Sequence, residues 1–106
     1  MRIAFTPMRR DDTLTVLKVG DVLTINGELF DLSGIPEGAT LPQKAVACDW
    51  LISDIERVGG QLHLALILPH GAKAPPETLF PVPITLETDG PVLLPPYESP
   101  AEETPE

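Results

Sequence analysis

Asp54, Glu56 and His63 are the residues whose types and spacing come nearest to a catalytic or metal-ligating set. A two-residue Gly59-Gly60 turn would place Glu56 directly opposite His63, and the three oxygen- and nitrogen-bearing groups would share one face of a hairpin. Such a set can hold a divalent cation or run acid-base chemistry. The plainer reading is a solvated strand face with a cross-strand ion pair, and it is favoured because no His-x-His or similar ligand spacing reinforces the site. His70, in LPHGAKAPP, has no glycine-flanked serine or second histidine near it, so it reads as a turn residue. Cys48 lies beside Asp49 and Trp50, with no cation to lower its pKa, and reads as a half-buried strand cysteine. Arg9 and Arg10, followed by Asp11 and Asp12, either pair among themselves or meet an acidic partner; both readings stay open.

No phosphate-binding glycine loop, zinc signature or nucleophile elbow occurs in the sequence. No catalytic, cofactor-binding or metal-binding residues are therefore assigned, and an independent enzyme is not expected. A single cysteine excludes an internal disulfide. The formal charge of -9 argues against nucleic acid or an anionic membrane as partner. Part of that charge is terminal: Glu98, Glu102, Glu103 and Glu106 leave residues 1–96 with twelve acids and seven bases. No apolar stretch reaches the length of a signal peptide or a membrane span, so the expected site of synthesis is the cytoplasm.

What must position these residues is a β framework. Two-residue turns at Gly20-Asp21, Asn26-Gly27, Gly59-Gly60 and Asp89-Gly90 separate apolar runs and predict four hairpins. The first two give a meander with Val16 opposite Ile25 and Leu23 opposite Phe30. One of its faces collects Leu14, Val16, Leu23, Ile25, Phe30 and Leu32, and the other carries Thr13, Thr15, Thr24 and Asp31. The third hairpin predicts Ile55 opposite Leu64, Ser53 opposite Leu66 and Leu51 opposite Leu68. A short helix within DWLISDIERV is the alternative there. Residues 33–43, 69–78 and those after Leu94 read as loops. The expected fold is a small antiparallel β-sandwich or rolled barrel over residues 1–96, with an acidic Pro/Glu-rich arm over 97–106. An ordered arm would need a neighbouring subunit to hold it.

The runs MRIAFTPMRRDDTLTVLKVGDVLTINGELFDL, GIPEGATLP and LALILPHGAKAPPETLFPVPI together resemble small proteins encoded in tail-gene regions of phages and prophages of Gram-negative bacteria. The resemblance covers most of residues 1–96 and carries no functional motif. It implies a virion component of the tail tip or baseplate, contacting other tail proteins or copies of itself. A tail-assembly chaperone is the first alternative, and a small metal-dependent enzyme built on Asp54, Glu56 and His63 the last. The expected partner contacts are Arg9 and Arg10, the loop carrying His70 and Lys73, and the arm carrying Tyr97, Glu98, Glu102 and Glu103.

Overall fold

The computed structural model describes residues 1–97. The chain is mainly β, and its strands form two sheets. The first has five strands: β1 (Arg2–Arg9), β5 (Thr40–Leu41), β6 (Ile55–Val58), β7 (Gln61–His70) and β8 (Ile84–Thr85), in the order β5-β6-β7-β1-β8. The second has four: β2 (Val16–Val19), β3 (Val22–Ile25), β4 (Glu28–Asp31) and β9 (Gly90–Pro91), in the order β4-β3-β2-β9. A four-residue helix, α1 (Pro76–Leu79), packs against β7.

Three of the predicted turns close hairpins in the predicted register. Val16 faces Ile25, Leu23 faces Phe30 and Glu56 faces His63. At Asn26-Gly27 and Gly59-Gly60 both residues have positive φ, the type I′ geometry whose twist matches the flanking strands. Ile3, Phe5, Leu64 and Leu66 of the first sheet and Val16, Leu23 and Ile25 of the second belong to a single buried cluster, so the sheets cover each other as a sandwich.

Four expectations are corrected. The N-terminal run is a strand, and β1 pairs with β7 in parallel, from Arg2 beside His63 to Arg9 beside His70; the first sheet is therefore mixed rather than antiparallel. Asp89-Gly90 closes no hairpin. Instead β8 pairs with β1 and β9 with β2, so the chain passes from one sheet to the other between them. The open edge of β1 captures it: Leu86 N–H donates to Met1 C=O at 2.7 Å, and the Met1 ammonium donates to Leu86 C=O at 3.1 Å.

The third correction concerns register beyond Ile55. Leu51 bridges Leu66, not Leu68, and Ser53 does not oppose Leu66. Two extra residues bulge between Ile55 and Leu51, and the Ser53 hydroxyl accepts the Ala65 N–H at 2.8 Å in place of a strand carbonyl. An insertion of two keeps the side-chain alternation, so Leu51 stays buried. The alternative helix in this stretch does not form; the nearest helical turn is a 3₁₀ turn at Gln43–Ala45. Fourth, Pro69 and His70 belong to β7, and the loop begins only at Gly71.

Candidate docking surface

The polar row predicted at the third hairpin exists and extends across the first sheet. Thr40, Glu56, His63, Arg2 and Thr85 stand side by side on the outward face of five strands. Acid, imidazole and guanidinium alternate there, lining an open groove of about 230 Å³ together with Ser53 and Asp54. Asp54 is already engaged, its carboxylate accepting the Gln43 N–H at 2.8 Å. Among the described residues, no three His, Cys, Asp or Glu side chains converge as they would on a metal ion. Cys48 is half-buried and lines a void of about 10 Å³ walled by Leu23, Ile25, Leu51 and Leu66.

The expected contact residues Arg10, His70 and Tyr97 meet at one end of the sandwich. Arg10 N–H donates to His70 C=O at 3.2 Å, Gly71 N–H donates to Tyr97 C=O at 2.9 Å, and the Tyr97 hydroxyl donates to Arg10 C=O. The Thr78 hydroxyl, fully buried in α1, donates to Pro96 C=O at 2.5 Å. Residues 96 and 97 are thereby fastened to the β domain.

Arg10 forks onto the Asp12 carboxylate with both contacts at 2.7 Å, and its guanidinium lies 4.3 Å from the centre of the Trp50 ring. The hydrogen bonds from Arg10 hold the Asp12 carboxyl below its usual range. Arg9 and Lys73 are exposed. Glu98, Glu102 and Glu103 lie outside the described residues.

Among the described residues, the outward face of the four-stranded sheet carries exposed apolar side chains with nothing packed on them. Leu29, Thr24, Leu17 and Pro91 form one row across all four strands, and Val22 and Val19 sit beside it. Leu93, two residues past Pro91, continues the same alternation. Leu29 is 69% exposed, Val19 54% and Leu93 92%. An antiparallel sheet with one solvated side should alternate apolar-in and polar-out. This one carries Leu17, Val19, Val22 and Leu29 beside Thr24 and Asp31 on its outward side. Comparison with protein-family models, curated proteins and solved structures finds no match to this chain.

Sequence reasoning assigned only threonines and Asp31 to that face and missed Leu17, Val19, Val22 and Leu29. The signal was present, since VLKV and VLTI hold adjacent apolar residues rather than strictly alternating ones, the pattern of strands covered on both faces.

Charge is distributed to match. Residues 11–33 and 87–93, which build the four-stranded sheet and its ends, contain seven acids and one base, Lys18; the other described residues contain five acids and six bases. Lys18 does not reach the outside. It is 8% exposed on the inner face and pairs with Asp89 at 3.2 Å.

The Gly20 N–H, bound at 2.8 Å, and then Lys18 hold the Asp89 carboxyl below the ordinary 3.8. A carboxyl depressed by folding contributes stability above its unfolded pKa, and that contribution is lost as pH falls through the folded value. Asp89→Asn is therefore expected to be less stable than the native chain at pH 7. The gap should close as pH drops below about 4, read from thermal melts across that range; a gap that stays constant into acid would contradict the pairing.

Proposed function

We propose that this chain is a non-enzymatic structural component of a phage tail, at the tip or baseplate, and that it docks between larger subunits through the outward face of its four-stranded sheet. The observation that carries the reading is the set of exposed apolar side chains Leu17, Val19 and Leu29 on the outward face of a sheet whose other side is already buried. Contiguous apolar surface of this kind on a small domain marks a place where another protein sits. The tail location is supported by the resemblance of most of residues 1–96 to small tail-region proteins.

A second reading, a chaperone of tail or fibre assembly, is favoured by one specific observation. The acids gathered around the apolar face suit temporary shielding of a basic, sticky patch on a partner. Mass spectrometry of purified particles separates the two. A tail component is expected at a fixed copy number per particle, and absence from finished particles would overturn that role and favour the chaperone.

A further inference from the structure

We infer that the free edge of β4 is a strand-acceptor site for an extended segment of a partner protein with alternating apolar residues and flanking lysines or arginines. The inference rests on the docking role proposed above and names the edge and the kind of segment that fills it.

Among the described residues β4 ends its sheet, with β3 on one side and no strand on the other. Its register decides which main-chain groups are spent. Asn26 N–H donates to Thr15 C=O and Leu32 N–H to Asp21 C=O, which fixes the alternation of close pairs in the meander. Glu28 and Phe30 then exchange hydrogen bonds with Ile25 and Leu23, while Leu29 and Asp31 direct N–H and C=O away from the sheet. Among the described residues those groups have no partner. An edge left in this state is a template for another strand.

Beside the edge runs a groove of about 280 Å³ lined by Leu29, Phe30, Leu32, Leu41 and Val46. It lies between β4 and the segment that follows β5, and it can receive every second side chain of an added strand. Leu29 belongs both to the groove and to the outward apolar row, so a strand added here is continuous with the docking face.

Charge selects the occupant. Glu28 and Asp31 stand exposed at the two ends of the edge, and the sheet's one lysine is turned inward; Asp21 at the adjoining turn is already paired with Arg57. Lys44 is the single base in the segment facing them. A segment with basic flanks is attracted to this rim, whereas residues 98–106 of a second copy, with four glutamates and no Lys or Arg, are repelled.

The test uses the full chain, isotope-labelled, and two synthetic peptides, KVTVTVK and EVTVTVE, both capped at their ends. The basic peptide should slow hydrogen exchange at the Leu29 and Asp31 amides and bind at least about tenfold more tightly than the acidic one at low salt. Glu28→Lys should shrink that preference. Leu29→Pro removes an outward amide and no ladder bond, so the fold should persist while peptide binding falls by about tenfold or more. Unchanged exchange at both amides with millimolar peptide, equal binding of the two peptides, or slowed exchange confined to Phe80 and Val82, exposed apolar residues just after α1, would each overturn the site. Slowed exchange at these amides in the concentrated chain alone would show a second copy as the occupant and overturn it likewise. A chain that binds the basic peptide yet is missing from purified particles would overturn the tail assignment and leave the edge site standing.

Discussion

Leu66→Ala is expected to lower the stability of the fold by about 3–5 kcal/mol, among the largest effects available to a single substitution in this chain. Leu66 is fully buried at the centre of the sandwich, beside Phe5 on the parallel strand and across the bridge from Leu51. It already borders the void of about 10 Å³. Removing three carbons enlarges that void, and the remaining walls, formed by the second sheet and the bulged segment, cannot all close on it. A domain of this size holds only about 5–15 kcal/mol in total. The midpoint of thermal unfolding should therefore fall by about 15 °C or more. Leu29→Ala, which removes the same atoms from solvent, should change stability by less than about 0.5 kcal/mol. Comparable losses at the two positions would mean that Leu66 is not the centre of the core.

Arg57→Ala is expected to cost about 2–4 kcal/mol, nearly as much, by a different route. Arg57 lies on β6 of the first sheet, with its side chain 15% exposed. Its Nε donates to Ile35 C=O at 2.5 Å, and its Nη2 donates to the Asp21 carboxylate at 2.9 Å. One guanidinium thus joins β6, the β2–β3 turn of the other sheet and the connection after β4. Alanine leaves a carbonyl without its donor and unties the two sheets at that end.

Arg57→Lys should recover little, because one ammonium cannot reproduce the fork. Asp21→Asn should cost under about 1 kcal/mol, since the carboxylate is partly exposed and screened. Urea titrations of the four proteins give the comparison, and near-native stability of Arg57→Ala would refute the tie.

The hairpins were legible because each is written locally. Asn26-Gly27 and Gly59-Gly60 specify their turns, and alternation on either side specifies the register. What escaped the sequence is non-local. β1 finds β7 across some sixty residues with no turn to announce it, and Pro7 inside the strand masks its β character. Asp89-Gly90 has the composition of a hairpin turn, yet the open edges of β1 and β2 take the strands on either side of it. The bulge at Ser53 was hidden because an insertion of two leaves the apolar pattern unchanged.

The site divides along the same line. The Glu56–His63 juxtaposition followed from one turn. The candidate docking face, by contrast, required knowing that the inner side of the second sheet is already filled, so that Leu17, Val19 and Leu29 have nothing among the described residues to cover. The meeting of Arg10, His70 and Tyr97 likewise depends on the parallel pairing of β1 with β7.

The central claim, that the outward face of the four-stranded sheet is what holds this chain in a larger assembly, is tested most directly by quantitative mass spectrometry of purified phage particles carrying either the native chain or Leu17→Glu. Leu17 is central to the apolar row but not part of the core, so the variant should fold with a melting point within a few degrees of native. The account predicts the native chain at a fixed copy number and Leu17→Glu reduced by about tenfold or more. Incorporation of folded Leu17→Glu at the native copy number would contradict it.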